Sequence, residues 1–550
     1  MAPHGAPIPY QRVGLLFLVA ALILLALGLA GGTPFFADRG GSPARQHAAG
    51  PLANQHAASA APAQPAGAAP PAQRPVRPAA ALRAVEPAAA RHAVPPGAAQ
   101  HQVAPAGAES HGPAGERHAA TFVPPIVWVV PFAAVLLVVA VFPLVPVLAA
   151  FWDSNANKLL VSAVLGLPVA FYVWQNDPTQ VLHTGLEYFQ FIALLAALFI
   201  VAGGLHLTGN LEASPRVNTG FLAIGYVLAS LIGTTGAAMV LIYPLLRTNS
   251  ERRHKAHTVI FFIFLVCNVG GLLTPIGDPP LFLGYLRGID FFWFLNLTPL
   301  WVFLGIILLA FYYGLDRHFY RRETKKAIAL DARHEEPVHL IGVLNIALLV
   351  AVVGSVAASV ATPYREAIMT AAAGASLVYA HRSRRARRAR DGNHFNFHAI
   401  QEVAAVFAGI FAAMMPALIL LNKRGAALGV DQPLEFFYAT GLFSSFLDNA
   451  PTFLVFLELA LGVTGIPTAS GLQAGQAAVI LGAISAGAVF MGAITYIGNA
   501  PNFMVRSIAE QRHVKMPSFF GFMGWSTLIL LPAFTAAAIV FFVLLPFPLW

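Results

Sequence analysis

The chain has 550 residues, of which 57% are hydrophobic and only 10% are charged, whereas soluble domains are about 45–50% apolar and about 25% charged. This composition excludes a soluble enzyme. A single cysteine, Cys267, excludes a disulfide framework, an iron–sulfur centre and a cysteine-based zinc site. The net charge of +9 does not by itself indicate nucleic acid, because membrane proteins with basic cytoplasmic loops show the same excess.

The N-terminal part of the chain consists of two segments of different composition. Residues 13–30 are apolar, follow Arg12 and end in small residues, so we expect residues 1–32 to form a secretory signal peptide or an uncleaved N-terminal anchor. The stretch up to residue 121 is rich in Ala and Pro and, from residue 38, has no aromatic residue, Ile or Met. Such a chain cannot bury enough apolar surface to offset its ordering entropy. We therefore predict a disordered extracytoplasmic tether over residues 33–121.

After residue 122 the chain becomes a series of apolar runs. A hydrocarbon core of about 30 Å is crossed by about 20 helical residues. By this criterion the predicted spans are 125–150, 158–176, 187–209, 258–286, 291–315, 338–360, 364–380, 399–421, 473–508 and 518–546. Two further apolar segments, 219–247 and 433–463, are interrupted by GTTG and SSFLDNAPT. We predict that each of these two forms a re-entrant hairpin, which enters and leaves the membrane on one side.

The basic residues predict how the chain is oriented, because short cytoplasmic loops are enriched in Lys and Arg. Four basic clusters follow apolar segments, at 247–255, 317–326, 382–390 and 506–515. With two re-entrant hairpins all four clusters are cytoplasmic, and the tether and the C-terminus are extracytoplasmic; only Lys423 and Arg424 then lie on the unexpected side. The predicted location is a bacterial-type inner (plasma) membrane.

The order of spans and hairpins repeats along the chain. Three spans, a hairpin and two spans occupy residues 122–316, and the same order occupies residues 338–550, with a cytoplasmic linker at 317–337. Five passes is an odd number, so the second half must be inverted relative to the first. The predicted fold is therefore an all-α polytopic membrane protein with two inverted repeats, each of five transmembrane helices plus a re-entrant hairpin, with broken helices at the midplane.

A short motif occurs once in each half. The segment TPIGDPPLF at 274–282 and the segment TYIGNAPNF at 495–503 share Thr, Ile, Gly, Pro and Phe at matching positions. Each lies within an apolar run, where Gly and Pro break the helix and free backbone groups that hydrocarbon cannot satisfy. A single break could be a simple helix kink, but paired breaks in corresponding positions of two halves favour a binding site.

Two carboxylates lie next to these breaks and the second hairpin tip. Asp278 and Asp448 would each cost about 2.5–3.5 kcal/mol to place at bilayer depth, so we expect each to serve a cation or a proton, and we assign proton coupling to both. Hard cations also prefer neutral oxygens. The predicted substrate- and ion-binding residues are Thr234, Thr235, Asn268, Thr274, Asp278, Ser444, Ser445, Asp448, Asn449, Thr452, Thr495, Asn499 and Asn502. Among them the candidates for a Na⁺ site are Asn268, Asp278, Asp448, Asn449 and Asn499.

Other charged residues are weaker candidates. Glu402 and Glu458 lie towards the ends of their apolar segments, where side chains commonly reach the membrane interface. Arg287 and Asp290 fall in a short turn and are expected to pair locally. The arginine run at 382–390 could bind nucleic acid or anionic lipid, but a solvated loop that sets the topology is the simpler interpretation.

Three segments together resemble a known family: NVGGLLTPIGDPPLFLGYLRG at 268–288, SSFLDNAPT at 444–452 and YIGNAPNF at 496–503. They resemble the ion transporter superfamily, and within it the citrate-transporter-like group whose members are commonly called sodium:proton antiporters. The resemblance spans residues 122–546. It implies two hairpins whose tips meet two broken helices, with substrate and Na⁺ between them, and commonly a homodimer through separate scaffold helices.

The motif residues carried over from this resemblance are Asp278, the pair Asp448 and Asn449, and the amides Asn499 and Asn502. The first hairpin departs from the family's dicarboxylate branch, because it reads GTTGAAM and lacks a Ser-Asn-Thr signature. This difference favours inorganic cation exchange over carboxylate recognition.

The sequence thus predicts a sodium (cation):proton antiporter that works by alternating access. The alternative is a Na⁺- or H⁺-coupled citrate or dicarboxylate transporter, but a site for a multivalent anion usually provides Arg or Lys, and none lies near the predicted centre.

An enzyme is not expected, because no HExxH, Gly-x-Ser-x-Gly or intramembrane His cluster occurs. We expect no cofactor beyond transported Na⁺ and H⁺; the expected partners are small cations, protons and the bilayer, with no nucleic acid.

The predicted orientation can be tested by cysteine labelling at the tether. A cysteine introduced at Ala60 should react with a membrane-impermeant reagent in intact spheroplasts, because the tether is predicted to lie outside the cytoplasm. The unmodified chain, whose Cys267 lies in an apolar run, is the control for background labelling. Protection of the introduced cysteine would overturn the orientation and with it the inverted repeat.

Overall fold

The computed structural model describes residues 122–324, 328, 331 and 336–545. The predicted signal segment or anchor (1–32), the tether (33–121) and much of the predicted linker fall outside the described residues. The domain boundaries therefore stay predictions.

The described residues are predominantly helical. Residues 122–324 contain α1 (Val130–Val141), α2 (Pro146–Trp152), α3 (Asn155–Asn176), α4 (Pro178–Ala202), β1 (His206–Asn210), α5 (Pro215–Ile232), α6 (Thr234–Thr248), α7 (Ala256–Leu265), α8 (Pro279–Leu286) and α9 (Thr298–Tyr320). Residues 336–545 contain β2 (Glu336–Ile341), α10 (Leu344–Ala357), α11 (Tyr364–Arg382), α12 (Arg384–Gly392), α13 (His398–Arg424), α14 (Pro433–Phe446), α15 (Asn449–Thr464), α16 (Gly475–Met491), α17 (Ala500–Gln511) and α18 (Phe519–Ile539).

Within these described ranges, nine helical segments are long and apolar enough to cross a membrane. The predicted fold class, an all-α polytopic membrane protein, is confirmed. The inversion of the two halves and the depth of the breaks in the bilayer stay predictions.

Two of the expected spans are shortened by a small sheet. β1 and β2 pair in antiparallel register, with His206 opposite Ile341, at places that the hydropathy pattern assigned to helices 187–209 and 338–360. At these places Gly209 adopts a φ of +108° within β1 and Gly342 a φ of +89° just after β2, and these are non-helical backbone conformations that favour glycine. The chain satisfies the freed backbone groups by strand pairing instead.

Small residues allow the long helices α3 and α13 to pack closely. A Cβ atom on Gly409 would lie 2.6 Å from the Ser162 side chain, and one on Gly166 would lie 2.9 Å from Ala412. Backbone contact at this distance requires glycine, as at other close helix crossings in membranes.

Two helical hairpins and two broken helices form the centre of the fold. The hairpin α5–α6 turns at Gly233, whose φ is +83°, and the hairpin α14–α15 turns at Leu447 and Asp448. The first break separates α7 from α8, and the second separates α16 from α17. Both second segments begin with proline in their first turn, where the missing N–H would lack a helical partner anyway.

In the first half, hydrogen bonds fasten the hairpin to the break. The Ser230 hydroxyl donates to the carbonyl of Gly270 at 2.5 Å, and the Thr274 hydroxyl donates to the carbonyl of Ser230 at 2.5 Å. The Thr274 hydroxyl also accepts from the N–H of Gly277 at 3.1 Å. These contacts satisfy backbone groups that the break exposes.

The second half repeats this arrangement. The Ser445 hydroxyl donates to the carbonyl of Met491 at 3.1 Å, and the Thr495 hydroxyl donates to the carbonyl of Ser445 at 2.5 Å. The Thr495 hydroxyl accepts from the N–H of Gly498 at 3.1 Å. The shared motif therefore encodes the same local fastening of hairpin to break in both halves.

Gly498→Ala is expected to destabilise the second break. A Cβ atom there would lie 2.6 Å from the carbonyl oxygen of Gly492 and 2.7 Å from that of Ser444, and forced overpacking costs about 1–3 kcal/mol. The expected result is a lower thermal midpoint of the purified protein in detergent. Gly524→Ala is the matched control, because it lies in α18 with no atom within 4 Å of the added methyl; equal midpoints for the two variants would contradict the proposed packing at the break.

Candidate ion-binding site

The N-terminal ends of four helices meet around one carboxylate. Helices α6 and α15 begin at Thr234 and Asn449, and helices α8 and α17 follow their N-cap residues Asp278 and Asn499. The side chains of Thr234, Asn449 and Asn499 all contact Asp278. Each helix N-terminus carries about half a positive charge, so the four together favour a negative charge at this point.

Asp278 is fully buried and accepts hydrogen bonds from neutral groups. The Thr234 hydroxyl donates to Oδ1 at 3.0 Å, the Asn449 amide donates to Oδ2 at 2.6 Å, and the Asn499 amide donates to Oδ1 at 3.1 Å. These donors come from the first hairpin, the second hairpin and the second break. Residues distant in sequence are therefore joined by one side chain.

Three amides form a chain next to this carboxylate. Asn268 donates to the Oδ1 atom of Asn502 at 2.7 Å, and its own Oδ1 atom accepts from Asn499 at 3.3 Å. Asn502 in turn donates to the carbonyls of Gly492 and Thr495 at 2.8 and 3.0 Å. This network links the first break to the second and fixes the amide that contacts Asp278.

One acceptor at the site has no donor. The Oδ1 atom of Asn449 is buried and makes no hydrogen bond within the described residues, while the amide nitrogen of the same side chain contacts Asp278. A buried acceptor without a partner costs about 1–3 kcal/mol. Together with the nearby carboxylate, it is a pair of oxygen ligands of the kind that a hard cation prefers.

The second predicted carboxylate, Asp448, has a different environment. It is half-buried and caps α15, because its Oδ1 atom accepts from the N–H of Ala450 at 3.0 Å. The Thr452 hydroxyl donates to the backbone carbonyl of Asp448 at 2.9 Å. Asp448 directly precedes Asn449, whose amide donates to Asp278. The two acids are therefore close along the site, with Asp278 enclosed and Asp448 partly exposed.

The structure does not bring all predicted residues to the carboxylate. Thr274, Ser445 and Thr495 use their hydroxyls to fasten the hairpins, and Ser444 donates to the carbonyl of Ala488 at 2.6 Å. Thr235 is half-buried and makes no side-chain hydrogen bond within the described part of the chain. The hydroxyls of Thr274, Ser444, Ser445 and Thr495 thus hold the site together from outside it. Thr234, Asn449 and Asn499 contact Asp278, and Asn268 and Asn502 extend the amide network next to it.

Sequence reasoning missed one residue of this arrangement. Ser230 lies in α5 and both donates through its hydroxyl and accepts through its carbonyl at the first break. Ser445 has the same role in the second hairpin, because Thr495 contacts it as Thr274 contacts Ser230. This correspondence is visible only through the contacts that the structure shows, so no signal for Ser230 was present in the sequence.

The expected local pairing of Arg287 with Asp290 is wrong. Arg287 instead contacts Glu187 of α4 and Glu458 of α15, the latter at 2.6 Å, while Asp290 caps the following turn by accepting from the N–H of Phe292. Helix packing brings these distant acids to the guanidinium. The residues next to Arg287 in the sequence give no sign of this packing. Glu458 is therefore an ion-pair partner of Arg287.

Several other carboxylates contact a cationic side chain. The buried Asp316 contacts Arg252 at 2.7 Å and the buried Glu366 contacts Arg365 at 2.6 Å. The more exposed Glu402 contacts the buried Lys158 at 2.7 Å. By contrast, Asp278 forms no ion pair with Lys, Arg or His within the described residues. Asp278 differs from these acids because only neutral groups offset its charge.

These features define an integral multi-pass membrane transporter with its polar centre at two hairpin tips and two helix breaks. The family model described as "Putative citrate transport" matches residues 122–542. The chain therefore belongs to this citrate-transporter-like ion transporter family, and the resemblance seen in its motifs is confirmed. A search of curated proteins finds no match.

Asp278→Asn is expected to destabilise the fold. The substitution replaces one carboxylate oxygen by an NH₂ group that faces the amide and hydroxyl donors of Asn449, Asn499 and Thr234, and an unsatisfied buried group costs about 1–3 kcal/mol. We expect a lower thermal midpoint in detergent than for the unmodified protein. Asp153→Asn, at an exposed position, is the control; identical midpoints for the two variants would show that Asp278 does not join the four segments.

Proposed function

We propose that the protein is a secondary active transporter that exchanges a small cation, with Na⁺ as the first candidate, for protons. The observation that supports this most directly is the environment of Asp278, a fully buried carboxylate contacted only by neutral donors. An anion in such a place is stabilised by binding a proton or a cation. Because the two compete for the same oxygens, entry of one displaces the other.

In this proposal the cation is held by oxygens from both halves. Asp278 and Asp448 supply the negative charge, and Asn449 supplies the buried Oδ1 atom that has no donor. Asn268 and Asn499 lie in the same amide network and would contribute oxygens after small side-chain rotations. The absence of a competing Arg or Lys contact to Asp278 within the described residues supports a cation here.

Alternating access requires that the site be reached from each side in turn. Asp448 is half-buried whereas Asp278 is enclosed, so we propose that ions pass Asp448 before they reach Asp278. The site lies between elements of the two halves, and relative movement of these elements would open it to one side or the other. We further propose a bacterial plasma membrane location, with the tether and the C-terminus outside.

A second function, cation-coupled uptake of citrate or a related dicarboxylate, is favoured by two observations. The family description names citrate transport, and four helix N-termini point at one region of the site. Helix N-termini bind carboxylates through free N–H groups and the helix dipole. Against this candidate, the oxygens of Asp278 already occupy that region.

Asp448→Asn is expected to abolish cation-driven proton movement without a loss of stability. Asn caps helices about as well as Asp, so the hydrogen bond to the N–H of Ala450 can be kept and only the titratable charge is removed. The measurement is the internal pH of proteoliposomes loaded with a pH-sensitive dye after addition of Na⁺, Li⁺ or K⁺. The thermal midpoint should stay unchanged, which separates loss of coupling from loss of fold.

Asp153→Asn is the transport control and should retain full exchange. Citrate added to the same proteoliposomes distinguishes the two functions, because an antiporter moves protons with a cation alone. Citrate accumulation that persists in Asp448→Asn would favour the carboxylate transporter. Full Na⁺/H⁺ exchange in the double variant Asp278→Asn, Asp448→Asn would show that the coupling carboxylates lie elsewhere.

A further inference from the structure

Helix α12 (Arg384–Gly392) connects α11 to α13 and presents a strongly basic outer surface. Four of its arginines are exposed; they are Arg384, Arg385, Arg387 and Arg388. Within the described residues none of the four forms a salt bridge, and the same helix has a single acid, Asp391. We refer to these four residues as the arginine face.

The opposite side of α12 is packed against the protein. Ala386, Ala389 and Arg390 are buried, and at 3.6 residues per turn they share one side of the helix. Arg384 and Arg388 then point directly away from the bundle, with Arg385 and Arg387 on the flanks. The helix is therefore held in place with its arginine face outward.

Buried contacts place this helix beside the start of α10. The Arg390 guanidinium donates to the Ser376 hydroxyl at 2.6 Å, and that hydroxyl donates to the Oδ1 atom of Asn345 at 2.5 Å. Asn345 lies in the first turn of α10. Helix α12 also contacts strand β2, which leads into α10.

The start of α10 is apolar and faces outward. Val343, Leu344 and Ile346 have exposed fractions of 59%, 46% and 40%. The arginine face is thus held beside an exposed apolar helix start. Lipid contact at this helix start would place the arginine face close to the phospholipid headgroups.

We propose that the arginine face of α12 binds the headgroups of anionic phospholipids, such as phosphatidylglycerol. Guanidinium groups form paired hydrogen bonds with phosphate oxygens, and basic residues next to a membrane attract anionic lipids. This binding would fix α12, and through Arg390, Ser376 and Asn345 the adjoining ends of α11 and α10, to the membrane surface. Lipid composition would thereby affect the stability of this end of the bundle.

The test uses the full chain in a neutral detergent, with a fluorophore on a cysteine introduced at Asp391; Cys267 is buried and does not compete for the label. Phosphatidylglycerol or phosphatidylcholine is titrated into the micelles. We expect a saturable fluorescence change with phosphatidylglycerol only, and this change should be weakened by salt at about 0.5 M, where screening is strong. An equal response to both lipids would overturn the proposal.

Arg384→Gln with Arg388→Gln should weaken phosphatidylglycerol binding about thirtyfold, because each arginine near an anionic surface contributes about fivefold. The remaining arginines of the loop keep its positive charge, so the orientation of the chain should be retained. Arg317→Gln with Arg321→Gln, at exposed positions near the end of α9, removes the same charge elsewhere and should leave the affinity within about twofold.

The outcomes are distinct. Equal phosphatidylglycerol affinity in the two double variants would show that the arginines act only as a diffuse charge, and the proposal would fail. Saturation by a single-stranded RNA oligonucleotide, with no response to phosphatidylglycerol, would instead assign the surface to nucleic acid. Arg384→Lys with Arg388→Lys keeps the charge and should retain most of the phosphatidylglycerol response.

Discussion

The carboxylate of Asp278 is the interaction on which the centre of this protein depends. Two hairpins and two broken helices bring four helix N-termini together in a region from which water is largely excluded, and their partial positive charges would repel one another without an anion between them. Asp278 supplies that anion and accepts hydrogen bonds from Thr234, Asn449 and Asn499. Each of these donors belongs to a different segment. The one carboxylate therefore connects the two hairpins and the two breaks.

Buried acids in this fold differ in whether a cationic side chain contacts them. Around the bundle, acids are matched with cations, as in the contacts of Arg287 with Glu187 and Glu458 and of Arg252 with Asp316. Such contacts connect helices and give each of these acids a charged partner. At the centre the acid is matched only by dipoles and neutral hydrogen-bond donors, which can reorganise when a proton or a cation binds.

The two halves share their fastening contacts but differ at the centre. Ser230 with Thr274 and Ser445 with Thr495 join hairpin to break in the same way. At the fifth position of the shared motif the first half has Asp278 and the second half has Asn499. The site therefore contains one enclosed carboxylate and an amide that donates to it. A repeated scaffold with an asymmetric centre thus holds one enclosed carboxylate between two halves that are fastened in the same way.

The sequence by itself determined the class of protein, most of the approximate spans, the places where the chain forms two helical hairpins, and the positions of the two breaks. These features depend on local properties, namely apolar length, the conformational limits of Gly and Pro, and the cost of burying Asp278 in hydrocarbon. Only the tertiary structure decided which donors reach that carboxylate, that Ser230 completes the first fastening, that Arg287 pairs with distant acids, and that β1 pairs with β2. Each of these contacts joins residues that are far apart along the chain. The distance between two such side chains is set by how their helices or strands pack, and the spacing of residues in the sequence does not encode it.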